Sequence, residues 1–390
     1  MTRFSMFYAP VFLALVLAGC SPAADTSTEQ SVQAAAAPKA DAVPAADSVP
    51  ELVRPDGSYP TVPLEKNTIV VKVVQNGVKN LQDFDDVREG LKENLERMVS
   101  FAERACSEGK KPDFILFNEF PLTGYSSGSR DEKLKFTLEI PGPETDRLGE
   151  VAQDCDSYLI FGSYARDEAW PGHILSINAV IGRDGSVVKR YWKTRNVKRL
   201  GPTTEIPTTT IEGVRAKYRE RYGIEEEFPV LMTEYGNIAV STVQLDPFVF
   251  AAYAMRGTEI MFRTSTLFSP VDVRATALYN NFYTAMSNIT FPADSDWASY
   301  GGKSLIAGPD GKVLAEDPSN NESIIEAEIP IAEFREGRTL QRYPLEVVAP
   351  VFDQYVVETP LDHLDLPPEE LPPTGEDMKT LIDETSRWLN

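Results

Sequence analysis

Covalent chemistry needs a nucleophile, a proton carrier or a metal, and this chain has few of the residues that supply them. In 390 residues there are three cysteines, Cys20, Cys106 and Cys155, and two histidines, His173 and His363. Neither histidine shares a short motif with Cys, Asp or Glu at ligand spacing, so chemistry without a metal or cofactor is expected. Three cysteines are too few, and odd in number, for a secreted disulfide framework. Cys106, on an expected helix, and Cys155, at the entry to a strand, therefore read as small buried apolar residues. Among the carboxylates Glu119 has the most telling setting. It follows the apolar run of Asp113–Phe117 with only Asn118 between, and a Gly124-Tyr125 loop comes after it. A strand built from that run would deliver Glu119 to the carboxyl end of a sheet, where a partly shielded carboxylate can carry protons. The alternative is a strand-end glutamate facing water.

The elements that would position such a group alternate along the chain. Thr68–Val74 is a β-branched strand, and Asp86–Cys106 places Leu91, Leu95, Met98, Val99 and Ala102 at helical spacing. Strands are expected at 113–117, 158–163, 238–243, 259–263, 283–288 and 324–329, with helices at 146–156, 248–256 and 271–282. Two hairpins bracket Gly182-Arg183-Asp184-Gly185 and Pro309-Asp310-Gly311. Alternation of this kind is an α/β layered fold, and the hairpins make its sheets mixed. It occupies residues 67–330. The charged, threonine-rich stretch Lys198–Glu227 reads as a surface insertion, and the proline- and acid-rich residues 331–390 as an extended acidic arm whose last turn, Met378–Leu389, could be a short amphipathic helix.

The formal net charge of −21 repels phosphate backbones, so no nucleic-acid partner is expected. The first twenty residues pair a basic start at Arg3 with an apolar run, Val11–Val16, too short to remain as a membrane span. They end in Leu17-Ala18-Gly19-Cys20, which resembles the lipobox of bacterial lipoproteins. That resemblance implies that residues 1–20 are a lipoprotein signal segment cut before Cys20, which becomes the lipidated first residue of the mature chain, and thus a lipid-anchored protein of the cell envelope. Ser21 after the cysteine points to the outer membrane. Residues 21–66, rich in Ala and Pro at their start, read as a disordered tether.

Four blocks in order resemble the nitrilase superfamily of carbon–nitrogen hydrolases. They are Asp113–Tyr125 (DFILFNEFPLTGY), Gly185–Thr194 (GSVVKRYWKT), Tyr235–Ile260 (YGNIAVSTVQLDPFVFAAYAMRGTEI), and Arg274–Asn288 together with Tyr300–Glu316. The resemblance implies a four-layer αββα sandwich, a small amide or nitrile-like ligand, and pairing into a homodimer or higher homo-oligomer. It also implies roles: Glu119 as general base and Lys193 as oxyanion partner, with Arg195 nearby, in a family whose nucleophile is a cysteine. Lys193 also lies in a basic stretch, Lys189–Arg199, that would suit a solvated face. Asn118 stands where the family commonly has proline. Ala165 stands where it has a second glutamate, with Glu168 close by.

The nucleophile is where this chain departs. Counting forward from Gly236 puts the family's cysteine position at Val243; counting back from Arg256-Gly257 puts it at Ser241. Two readings follow. Ser241 or Thr242 could attack with Glu119 as base, although a hydroxyl is far less acidic than a thiol, whose pKa is about 8.5, and each pKa unit is worth about 1.4 kcal/mol. Alternatively the chain is a pseudoenzyme, an envelope protein that binds a ligand in the cleft or serves as a scaffold. Asp246 could assist a hydroxyl or cap the helix that follows.

Overall fold

The computed structural model describes residues 56–126, 128–196, 206–340 and 342–387. Cys20, the expected signal peptide and most of the expected tether lie outside the described residues. Five strands open the first sheet: β1 (Ile69–Gln75), β2 (Phe114–Leu116), β3 (Tyr158–Ala165), β4 (Leu175–Ile181) and β5 (Val187–Trp192). Six form the second: β6 (Leu231–Thr233), β7 (Gly236–Ser241), β8 (Ile260–Ser265), β9 (Tyr283–Asn288), β10 (Leu305–Ala307) and β11 (Val313–Glu316). The last strand, β12 (Ser323–Ile329), returns to the first sheet and pairs antiparallel with β1, giving the order β12-β1-β2-β3-β4-β5. β1, β2 and β3 run parallel, as do β7, β8 and β9, whereas the hairpin strands are antiparallel. Both sheets are mixed, as the hairpin signals require.

Side-chain alternation along single strands builds the layers. In β2 and the residue after it, Phe114 and Leu116 face the second sheet, where they meet Ile238, Val240, Ile260 and Phe262. Ile115 and Phe117 turn the other way, onto a helical layer. That layer holds α1 (Val87–Ser107), the short α2 (Arg130–Leu134), α3 (Pro143–Cys155) and α4 (Arg215–Tyr222). The second sheet is covered by α5 (Pro247–Met255) and α6 (Pro270–Asn280); Val273 and Ala277 of α6 pack on Met286 and Leu305. Helix, sheet, sheet and helix thus stack as the expected αββα sandwich.

Three expectations at the margins are corrected. The segment before residue 67 is packed from residue 56 on: Tyr59 is buried and its hydroxyl donates to Glu259 Oε1 at 2.8 Å. Glu259, wholly buried, also takes a bidentate pair of 2.7 Å bonds from Arg335 of α7 (Ile331–Gly337). Segments that precede the first strand and follow the last are thus tied to one carboxylate. The residues from 331 on, expected as an extended arm with a helix only in the last turn, carry α7, α8 (Leu345–Phe352) and α9 (Gly375–Thr385), the last overlapping that expected turn. Leu364, Leu371 and Met378 are buried in the core beneath the helices of the first sheet, so apolar residues spaced among the prolines outweigh the extended composition. The stretch expected as a surface insertion also turns inward where it is described: Ile206, Ile211, Val214 and Tyr218 are buried.

Cys106 and Cys155 are a fourth correction. They are joined in a disulfide, with 5.7 Å between Cα atoms. α1 and α3 lie side by side on the first sheet, and that adjacency, invisible over a separation of 49 residues, places the two thiols together.

Candidate active site

Glu119 leaves the end of β2 and is held there by backbone. Phe117 donates to Ile160 O and Gly162 donates to Asn118 O, so the chain beyond β2 continues alongside β3. Gly162 is required by this approach, since a Cβ on it would stand 2.5 Å from the Glu119 carbonyl oxygen. Asn118, the residue at the family's proline position, is buried. It donates to Asn76 Oδ1 at 3.0 Å and accepts from the Phe120 N–H at 3.1 Å, closing the turn that aims its neighbour.

Lys193 follows β5. Its backbone N–H donates to Ser176 O, and its Nζ lies 3.2 Å from Glu119 Oε1. Side-chain exposures of 15% for the lysine and 6% for the glutamate place this pair away from bulk water, not on the solvated face that the basic stretch suggested. At that exposure its attraction is far less screened than a surface ion pair's.

Contacts of β5 and its extension to the second sheet bracket the end of β7. Tyr191 donates its hydroxyl to Ile238 O at 3.0 Å, and Arg195 pairs with Asp246 at 2.7 Å. Lys193 lies between the first residues of these two ties, and Ser241 between the second. Arg195 is thereby committed to Asp246, which also accepts from Val249 N and so caps α5. Of the two nucleophile positions, Val243 is buried among the apolar residues of the inter-sheet core, and its carbonyl accepts from Arg263 at 2.7 Å. Ser241 ends β7, buried, with Oγ accepting from Val243 N at 3.2 Å. The Thr242 hydroxyl is buried without a hydrogen-bond partner among the described residues. Ala165 ends β3, while Glu168 borders a recess with Leu134, Trp170 and His173.

One site residue escaped the sequence reading. Lys133 on α2 is fully buried; its Nζ donates to Ile206 O at 3.1 Å and lies 4.4 Å from the centre of the Tyr164 ring. Its charge also faces Lys193 and Glu119. Burial first, then Lys193, lowers its pKa to about 7. The only signal for it was a lysine inside a charged segment, which resembles any solvated surface turn.

Among the described residues no cluster of three His, Cys, Asp or Glu side chains could hold a metal ion. The description Carbon-nitrogen hydrolase attaches to the family whose profile matches residues 73–339. The chain belongs to the carbon–nitrogen hydrolase family. It is 27% identical to the omega-amidase NIT2 of Xenopus tropicalis over 264 residues, 64% of this chain and 88% of that one. It is 24% identical to a nitrilase of Pyrococcus abyssi, over 62% of this chain and 87% of the relative. An amidase from Nesterenkonia sp. superposes with a TM-score of 0.53 at 17% identity, covering 74% of this chain and 98% of that structure. This last likeness bears on the fold, and the matching fold is the same sandwich. The family match ends at residue 339, before α8 and α9.

Proposed function

We propose that the chain hydrolyses the carbon–nitrogen bond of a small amide in the cleft of Glu119 and Lys193, with Ser241 in the cysteine's place. The observation that carries this is the 3.2 Å approach of Lys193 Nζ to Glu119 Oε1, a proton carrier and a fixed cation side by side in a shielded site. In the reaction, Ser241 Oγ bonds to the amide carbon as Glu119 takes the hydroxyl proton. Lys193 stabilises the oxyanion that forms. Glu119 then returns the proton to the nitrogen, the C–N bond breaks, and the amine or ammonia departs. Water attacks the remaining ester and gives a proton to Glu119. The acid leaves as that proton returns to Ser241. The amidases among the relatives support the amide as substrate class.

A thiol mechanism is closed to Cys106 and Cys155, whose sulfurs are bonded to each other. That same fact favours a second reading, in which the cleft binds an amide without breaking it. Turnover of a panel of short amides by the full chain decides between them. Catalysis by Ser241 predicts loss of about a thousandfold or more in Ser241→Ala, with the folded state retained. Thermal stabilisation by an amide with no turnover in the unaltered chain removes the hydrolase reading and leaves the binding one.

The same reading extends to place and partners. The Leu-Ala-Gly-Cys20 sequence supports a lipid anchor in the cell envelope, and the Cys106–Cys155 bond suits an exported, oxidising setting. Expression in a bacterial host with labelled palmitate tests it: label and membrane recovery should both vanish in Cys20→Ala, and equal recovery of the two chains would refute the anchor. A second copy of the chain suits the outer face of α5 and α6, where Phe248, Val271 and Tyr279 stay mostly exposed.

A further inference from the structure

We propose that Arg263, paired with Asp272, is a positioning residue for the turn after β7, the turn that fixes the Ser241 hydroxyl. The proposal rests on the reading of Ser241 as nucleophile, but it concerns side chains that reach no substrate. Arg263 lies on β8 and is wholly buried, while Asp272, in the first turn of α6, is 12% exposed. The guanidinium carbon stands 4.1 Å from the centre of the Phe250 ring on α5 and 4.9 Å from that of Phe268. Nη2 donates at 2.7 Å to two acceptors, the Val243 carbonyl and Asp272 Oδ2, and Nη1 donates to Thr276 Oγ1 at 3.3 Å. A guanidinium suits this place, because its fork serves several fixed acceptors while its flat face packs on aromatic rings.

From this pair the grip passes to the serine in two bonds. Arg263 holds the Val243 carbonyl, and the Val243 N–H donates to Ser241 Oγ at 3.2 Å. Asp272 takes hold two residues further on, where Oδ1 accepts from the Leu245 N–H at 3.2 Å. Leu245 has a φ of 56°, in the left-handed region that a leucine occupies only where its surroundings impose it. A buried ion pair adds little stability over apolar side chains of like size. What Arg263 and Asp272 add here is direction, since each also holds a backbone group of the turn. With the Val243 N–H on one lone pair, the Ser241 hydroxyl keeps its own proton to give to a base. Without the Arg263 bond the turn drifts and Oγ is misaimed, whereas Glu119 and Lys193, held by other bonds, keep their places.

Exchange of backbone amide hydrogens in the full chain reads the turn itself. In Arg263→Met the Val243 and Leu245 amides should exchange at least about tenfold faster, with those of α5 and α6 within about twofold of their former rates. Where Arg263→Met fails to fold with Asp272 left unpaired, Arg263→Met with Asp272→Asn removes both charges and takes its place. Unchanged exchange at both amides overturns the proposal, as does acceleration spread evenly over α5 and α6. On the unaltered chain, the Nη2 protons of Arg263 should exchange slowly and stand apart from the averaged signal of surface arginines. An averaged signal overturns the proposal whether or not a variant folds. Amide turnover adds the link to Ser241: kcat should fall about tenfold to a hundredfold in the variant, with KM within about twofold. An unchanged kcat, or a raised KM alone, overturns that link. Local exchange in a chain that turns over no amide refutes the proposed function and leaves Arg263 as the support of the turn, whereas turnover with unchanged exchange does the reverse.

Discussion

At the scale of single residues the site depends on close approach, and Gly162 is where that is most exposed to test. Its missing side chain lets the Glu119 backbone lie against β3. Gly162→Ala would force backbone apart at a distance no Cβ tolerates, costing about 1–3 kcal/mol of stability by overpacking. The larger effect is expected on the site: Glu119 moves from Lys193, and amide turnover or binding falls well beyond what the lost stability explains. Wild-type activity in a folded Gly162→Ala protein would show that the approach is not needed. The residues of the site were unequally legible in sequence. Glu119 stands after an apolar strand, so burial could be argued from its neighbours, and Lys193 came with the resemblance of its block. The Ser241 and Val243 alternatives stayed open because the loop after β7 has a length that counts differently from its two ends. Both are buried in the structure, Val243 within the apolar core and Ser241 at the end of β7. Lys133 was illegible because its segment is charged throughout, and only tertiary packing turns one of those charges inward.

At the scale of elements, α1 and α3 are clamped by the Cys106–Cys155 bond. The bond closes a long loop in the unfolded chain, so its removal in a Cys106→Ala, Cys155→Ala double variant is expected to cost about 2–4 kcal/mol. Chemical denaturation with and without reductant checks this, and equal midpoints would mean that the two helices hold each other by packing alone. Glu119 and Lys193 lie on extensions of β2 and β5 held by bonds of their own, so the variant should keep its site geometry at moderate temperature. The expected strands and the longer helices were legible from period-two and period-3.6 patterns, with ends that move by up to three residues. The short α2 and α8 were not, because a one-turn helix has too few positions for a period and the prolines of the tail argue for extension, whereas α9 overlaps the amphipathic turn expected at 378–389.

At the scale of the molecule, the outer side of α5 and α6 carries an apolar surface. Phe248 is 64% exposed although the ring of Phe352 from α8 meets it edge-on at 5.1 Å, and Val271 is 72% exposed. Sedimentation of the full chain in mild detergent should find pairs or larger assemblies that dissociate in a Phe248→Asp, Val271→Asp variant. A single-chain species at all concentrations would discard the second copy as occupant. The α/β class was legible because the order of strands and helices is written in the pattern of apolar residues. Which faces remain open was not, since that depends on where the tail returns.

The tail's return has a practical side. Pro372 and Pro373, near the carboxyl end of the chain, grip the helix that carries Lys133. A purification handle fused at that end, or a protease nick around residue 360, is therefore expected to loosen α2 while leaving the sandwich intact. Whoever prepares the protein would do better to place the handle elsewhere and to check each preparation first for a frayed carboxyl end.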